Sequence, residues 1–262
     1  MGGGSLAREG PGLIPLVGVE PRDASAIEGE TAFVLLPYAG DKNTELDEVR
    51  SRFRSGNIPF LHIEIRDPLE LLTLSFQWEV ATILACARLG IDPFDVSDNR
   101  LQRTFTDEIL AQISRGENPL HRSPRMTDRL IQLHADGMAR QKISTLNFAE
   151  ALRTFLRIAT PARHVTLLVN MDRTEEVLEK FDTLRSILIV GLQRPVELVF
   201  GPRAGEHYSY FFRDSLSFGP CIVFTTDLLS DKPIPGALDT FGQFYQALAL
   251  SEYDTLAIGG GR

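Results

Sequence analysis

Residues 66–98 read RDPLELLTLSFQWEVATILACARLGIDPFDVSD, and this stretch decides the fold. Its apolar residues recur at helical spacing along two adjacent stripes, which predicts one long helix. Two apolar stripes predict a helix that is covered on most of its sides. Gly90 should end the helix, and Pro93 favours a loop after it. The first stripe holds Leu72, Phe76, Val80, Ile83 and Ala87, and the second holds Leu71, Leu74, Trp78, Ala81 and Ala85.

An alternation of strands and helices precedes this helix. Residues 31–37, TAFVLLP, are a nearly continuous apolar run, which is typical of a strand in a parallel sheet with both faces covered. Residues 44–55 follow as an amphipathic helix capped by Asn43 or Thr44. Residues 60–65 form the next strand. This order of strand, helix and strand predicts a parallel sheet.

The same rhythm returns after a region of helices. Residues 99–116 and 126–159 read as two or three helices, which predicts a helical insertion at about 99–160. A further helix is expected over 174–192. The sequence therefore predicts an α/β protein, a three-layer αβα sandwich whose mostly parallel central sheet has helices on both faces. The strands of that sheet are expected at residues 31–37, 60–65, 164–169, 195–200 and 221–225.

The two ends of the chain frame one expected domain. Residues 1–11 begin with a glycine-rich run and should be a flexible leader. The domain should extend over 12–258, and residues 259–262 should form a tail. Near its end we expect a helix over 241–250 and a short strand, TLAIG, over 255–259.

Composition limits the possible classes of function. With 43% hydrophobic and 24% charged residues, the 262-residue chain is typical of a globular protein. A formal net charge of −8 argues against nucleic acids and anionic membranes as partners. Two cysteines, Cys86 and Cys221, provide no disulfide framework and favour a reducing cytoplasm. The sequence contains neither an apparent secretion signal nor an apolar run long enough to span a membrane.

Four ordered segments resemble a known family. FQWEVATILACARLGIDPFDVSDNRLQ, from Phe76 onward, is similar to the segment FRWEFATAVAGxxLGINPFDQPDVExxK of glucose-6-phosphate isomerases fused to transaldolase. GLIPLVG at 12–18, FLHIEIRDPLEL at 60–71 and DKPIPGALDTFG at 231–242 match further family motifs in the same order. The similarity covers about 12–250, the later half of such an isomerase. It implies a sugar-isomerase (SIS) domain, a role in glycolysis and gluconeogenesis, and conversion of glucose 6-phosphate to fructose 6-phosphate.

The residues that such an isomerase needs for catalysis are missing. Isomerisation requires a carboxylate base, a ring-opening acid or base, and donors for the phosphate. The family's catalytic glutamate falls within residues 4–8, GSLAR, and its histidine-rich segment falls on residues 210–219, which contain neither histidine nor lysine. The lysine and glutamine of a later motif fall on Tyr245 and Leu248. The sequence therefore assigns no catalytic residue and predicts that this chain alone is inactive.

Four residues remain as candidates for binding a substrate. Glu79 could contribute a carboxylate, although a helix residue that bonds backbone amides or an arginine is the simpler interpretation. Gly201, Arg203 and His207 belong to GPRAGEH, which follows a strand and could hold an anion, as strand-to-helix turns do in some proteins. A plain turn uses glycine as well, so both interpretations stay open.

Other polar residues suggest no cofactor. His121 lies beside Arg122 and Arg125 in a loop that could hold a phosphate, although a solvated loop is the simpler interpretation. Neither His134 nor His164 has other metal-ligating residues at a suitable spacing, so we expect no metal and no cofactor.

Two functions from different classes follow from these observations. The chain is either an isomerase component that needs a second chain to supply the missing residues, or a non-catalytic domain that binds a sugar phosphate or a protein. In the family, this half packs against another domain, so an apolar face without a partner is expected on the long helix and in 126–160. The expected partner is a second copy of this chain or a transaldolase/isomerase chain.

Overall fold

The computed structural model describes residues 16–29, 31–40, 42–90, 92–94, 100–119, 122–144, 147–159, 164–201, 220–226 and 231–259. The chain forms two compact units. The first comprises Met1–Asp95 and Lys180–Glu197, and the second comprises Val96–Glu179 and Leu198–Arg262.

The described residues contain both helices and strands. The helices are α1 (Pro21–Ala24), α2 (Thr44–Ser55), α3 (Glu70–Leu89), α4 (Arg100–Ser114), α5 (Gly137–Lys142), α6 (Phe148–Ala159), α7 (Glu175–Leu192) and α8 (Phe241–Gly259). The strands are β1 (Phe33–Leu35), β2 (Phe60–His62), β3 (Met126–Asp128), β4 (Ile131–Leu133), β5 (Val165–Asn170), β6 (Val196–Phe200) and β7 (Cys221–Thr225).

The first unit has a small core built on α2 and the β1–β2 pair. β1 and β2 are parallel, with Phe33 opposite Phe60. Phe53 of α2 is fully buried and stacks on Phe33 with ring centroids 4.4 Å apart. The helix begins as predicted, because the Asn43 side chain accepts a hydrogen bond from the Leu46 backbone N–H at 3.0 Å. The amphipathic pattern of residues 44–55 therefore identified both the helix and its buried face.

The second unit is centred on β5. The sheet has the order β6–β5–β7, and β5 runs parallel to β7 over the register Thr166 to Asn170 against Cys221 to Thr225. Val165 through Val169 are all buried, as expected for an uninterrupted apolar strand in the middle of a sheet. Helices α4 and α8 pack against each other in the same unit.

The fold is α/β with small, mostly parallel sheets, but the expectation of one central sheet is wrong. The five predicted strands are present and belong to two sheets, β1–β2 and β6–β5–β7. Apolar runs identify strands because each run must be buried, but they carry no information on which strand pairs with which.

Two local predictions are also wrong. Residues 126–133 form an antiparallel hairpin, β3–β4, where a helix was expected. Its two-residue turn has Arg129 at a positive φ of 54°, a conformation that favours a tight hairpin. The predicted final strand TLAIG continues α8 instead, and its Thr255 is buried. A short apolar run fits a helix or a strand equally well, and here the rest of α8 decides the outcome.

The long helix has the predicted ends but not the predicted burial. It begins where Asp67 Oδ1 accepts from the Leu69 N–H at 2.8 Å and the Glu70 carboxylate accepts from the Arg66 N–H at 2.9 Å. It ends at Gly90, which is left-handed with φ 72°. Along α3 only Leu74 and Cys86 are buried. The expectation of a helix covered on most sides is therefore wrong for this chain by itself.

Candidate functional site

The four predicted binding residues are placed as follows. Glu79 is exposed on α3 in the first unit, and none of the described residues donates a hydrogen bond to its carboxylate. Gly201 follows β6 in the second unit. Arg203 and His207 lie outside the described residues. The described contacts join none of the four to another, and Gly201 alone leads to a defined polar cluster.

Gly201 lies directly beside the carboxyl end of β5. Its backbone N–H donates to the Val169 carbonyl at 2.9 Å. A Cβ built on Gly201 would lie 1.7 Å from Asn170 Oδ1, far inside any contact that real Cβ atoms make. Any side chain at this position would therefore displace the carboxamide of Asn170. The carboxyl ends of β5 and β6 meet at one edge of the sheet.

Asn170 connects this edge of the sheet to α8. Its Nδ2 donates to Glu252 Oε2 at 3.1 Å, and Glu252 is only 5% exposed. The Asn170 Oδ1 atom is buried and has no hydrogen-bond partner among the described residues. A buried acceptor without a partner is costly, and it can be satisfied by a donor from water or from a ligand. The cluster therefore joins a carboxylate to an acceptor that still needs a donor.

Further polar groups follow the same strands. Thr225 pairs with Asn170 in the β5–β7 register and is exposed. Arg173, just beyond β5, places its guanidinium carbon 5.5 Å from the centre of the Phe200 ring. In open α/β sheets, ligands bind outside the carboxyl ends of the strands. This edge offers hydroxyl, carboxamide, carboxylate and guanidinium groups, a set suited to a polar ligand with several hydroxyl groups.

Neither Asn170 nor Glu252 is among the residues predicted from the sequence. Asn170 is the polar residue that ends the run VTLLV, which is a usable signal for a strand end. Glu252 carries no comparable signal. Its partner is 82 residues away, and only the packing of α8 beside the sheet brings the two together.

The motif DKPIPGALDTFG proves to be the start of α8. Asp231 accepts hydrogen bonds from the Thr240 hydroxyl and from the backbone N–H groups of Lys232 and Gly242, the latter two at 2.8 Å. Thr240 and Gln243 form a capping box, each side chain accepting from the backbone N–H of the other. The hydrogen bond from Thr240 is the main cause that lowers the pKa of Asp231. The motif therefore has a structural role in this chain.

The basic loop considered for phosphate is engaged within the second unit. Arg122 forms a two-pronged ion pair with Asp254, with N–O distances of 2.6 and 2.7 Å. Arg125 donates through two of its nitrogens to the Ile143 carbonyl at 3.2 Å. His121 lies outside the described residues. Both arginines thus hold the segment around 122–143 in place.

His164 is a further titratable group in the described part of the chain. Burial lowers the pKa of His164 to about 4, so this imidazole is neutral near pH 7. Within the described parts of the chain, no three or more His, Cys, Asp and Glu residues are grouped so that they could hold a metal ion. Neither Cys86 nor Cys221 forms a disulfide. None of the helices in the described ranges is both long enough and apolar enough to cross a membrane.

Comparison of the chain with protein-family models, with curated proteins and with solved structures gives no match.

Proposed function

We propose that this chain is a domain of the glucose-6-phosphate isomerase type that functions as one component of a cytoplasmic assembly and does not isomerise sugar phosphates by itself. The observation that carries it is the exposure of α3, whose sequence holds the strongest part of the family resemblance.

The apolar stripe of α3 formed by Leu72, Phe76, Val80, Ile83 and Ala87 is exposed along its whole length. Leu72 is 70% exposed and Phe76 is 66% exposed, and the neighbouring Leu84 is 65% exposed. Isolated apolar residues are ordinary on protein surfaces, but a contiguous stripe on one helix is typical of an interface. A second copy of this chain is the partner we propose, and a transaldolase/isomerase chain is the alternative.

The absence of isomerase activity follows from the chemistry. The positions that match the family's base and ring-opening residues hold neither group in this sequence. General acid–base groups each contribute roughly 10²–10⁴-fold to a rate. A chain without them should give no measurable turnover of glucose 6-phosphate.

Self-association provides the first test. Light scattering of the purified chain at micromolar concentration should give a species of twice the 29.2 kDa chain mass. The double variant Leu72→Asp/Phe76→Asp should shift it to the single-chain mass, whereas Leu238→Asp, at a still more exposed position outside the stripe, should not. A wild-type chain that stays monomeric and also fails to bind a transaldolase/isomerase chain would contradict the proposal.

Activity provides the second test. A coupled assay that follows NADPH formation from fructose 6-phosphate should remain at background for the chain alone. Turnover that scales with protein and survives repurification would show that other residues supply the chemistry.

A second function, binding of a sugar phosphate without catalysis, is favoured by the cluster of Asn170, Gly201 and Glu252. The free acceptor on Asn170 and the buried carboxylate suit sugar hydroxyl groups, and Arg173 could balance one negative charge. Calorimetry should detect binding of glucose 6-phosphate to the wild type. Asn170→Asp should weaken this binding, because a second carboxylate beside Glu252 repels the phosphate group of the ligand. Asn147→Asp, outside this cluster, is the control. Equal affinities for both variants and the wild type would exclude the site.

A further inference from the structure

The β1–β2 sheet has one covered face and one open face. Phe33 and Leu35 lie on the face that packs against α2, in the cluster around the buried Phe53. Side chains alternate between the two faces of a strand, so Val34 lies on the opposite face, and the register places Leu61 beside it. Val34 is 42% exposed and Leu61 is 50% exposed. Parallel sheets are almost always covered on both faces, so within the described chain this sheet lacks its second cover.

The helix α3 has the converse deficit. Its apolar stripe is exposed, and α3 packs extensively against no other helix or strand of the described residues. Both surfaces belong to the first unit. A helix with an apolar stripe and a sheet with an apolar face are stable only when each is buried against another element, and a helix layered on a sheet is a common solution. The stripe and the open sheet face therefore suit each other.

The exposed area is sufficient for a stable interface. Leu36, which continues β1 on the same face as Val34, is 49% exposed. Together with the stripe and the neighbouring Leu84, the open sheet face presents roughly 800 Å² of apolar surface per chain, about what each partner contributes to an interface of standard size. A contact between helix and sheet in two copies would use both surfaces at once.

We propose that this chain forms a symmetric dimer in which α3 of each copy packs across the open face of the β1–β2 sheet of the other copy. The inference rests on the proposed function for the existence of a dimer, and it adds the surface that α3 meets. Each copy gives one helix and receives one, so the contact is closed by a twofold axis and assembly stops at two copies.

The test changes the two surfaces separately in the full chain. Leu61→Glu and Phe76→Lys each place a charge in the interface at a position that is exposed in the single chain, so folding should not depend on either. Burying an unpaired charge is costly, and each purified variant should therefore shift from the dimer to the single-chain mass of 29.2 kDa in light scattering. Leu130→Glu, at the fully exposed turn of the β3–β4 hairpin, is the control and should remain a dimer.

Mixing Leu61→Glu with Phe76→Lys in equal amounts should restore a species of twice the chain mass. In the mixed pair, the unchanged helix of the first variant meets the unchanged sheet of the second. At the other contact, the introduced glutamate and lysine carry opposite charges and can pair. Leu36→Glu lies on the same sheet face and replaces Leu61→Glu if that variant does not fold.

The outcomes separate this inference from the proposed function. If Phe76→Lys is monomeric while Leu61→Glu and Leu36→Glu remain dimers, α3 meets a surface other than the sheet, so the inference is overturned and the proposed dimer stands. A mixture that stays monomeric overturns the reciprocal contact. A monomeric wild type also overturns the inference, and binding to a transaldolase/isomerase chain then decides whether the proposed function fails with it.

Discussion

The carboxamide of Asn170 occupies the space that any side chain at Gly201 would need, with 1.7 Å between its Oδ1 and the position of a Cβ there. Gly201→Ala should therefore force the Asn170 side chain to rotate and break its hydrogen bond to Glu252. We expect a loss of about 1–3 kcal/mol in the free energy of unfolding, the cost of overpacking and of a buried polar group left unpaired. Urea unfolding followed by circular dichroism measures it.

Gly191→Ala is the control for this substitution. Gly191 lies inside α7, and a Cβ there would meet nothing within 4 Å. Alanine should be neutral or stabilise the chain by about 0.5–1 kcal/mol. If Gly201→Ala proved as harmless as Gly191→Ala, the proposed packing of Asn170 would be wrong.

The free energy of unfolding should decrease as the pH is lowered from 6.5 to about 4, because of His164. Burial lowers the pKa of this residue from 6.5 to about 4, so in this range the unfolded chain binds a proton that the folded chain does not. Stability therefore rises with pH across this window, by up to roughly 3 kcal/mol. His164→Gln should flatten this dependence in urea unfolding at a series of pH values, whereas His62→Gln, at an exposed position, should not. An unchanged slope in His164→Gln would contradict the assignment.

Asp231 should contribute a second dependence of stability on pH, at lower pH than that of His164. The hydrogen bonds from Thr240 and from two backbone N–H groups lower the pKa of its carboxyl below the ordinary value of 3.8. A lowered pKa means that the carboxylate stabilises the folded chain above pH 3.8, and that this contribution disappears as the pH falls through the lowered value. Asp231→Ala should therefore be less stable than the wild type at pH 7. The difference should shrink below about pH 3.8, and a constant difference would exclude the carboxylate as its source.

The hydrogen bond between Thr106 and Ser251 should couple α4 to α8. The two hydroxyl oxygens are 2.8 Å apart, and both residues are buried. Thr106→Val leaves the Ser251 hydroxyl without this donor and should cost about 1–2 kcal/mol. The double variant Thr106→Val/Ser251→Ala should cost about 1 kcal/mol less than the sum of the single variants. Strict additivity would mean that the two hydroxyls do not interact, and Thr82→Val on exposed α3 should be nearly neutral.

Local patterns predicted most of the elements. The spacing of Leu46, Val49 and Phe53 predicted α2 and its buried face, because a helix places every third or fourth residue on one side. Gly90 marked the end of α3, because glycine adopts the left-handed conformation without steric cost. The sequence also predicted a strand at 164–169, and β5 is the central strand of its sheet. All of these features depend on residues close together in the chain.

The tertiary structure alone decided how these elements combine. The strands divide between two sheets because pairing depends on contacts between distant segments, about which the alternation of apolar residues is silent. For the same reason, the apolar stripe of α3 remained exposed although its composition predicted burial. The candidate site shows the same limit: Asn170 and Glu252 are 82 residues apart and meet only because α8 packs beside the end of β5. Side-chain chemistry can be inferred from the sequence, but the position of one group against another is determined by the packing that buries them together.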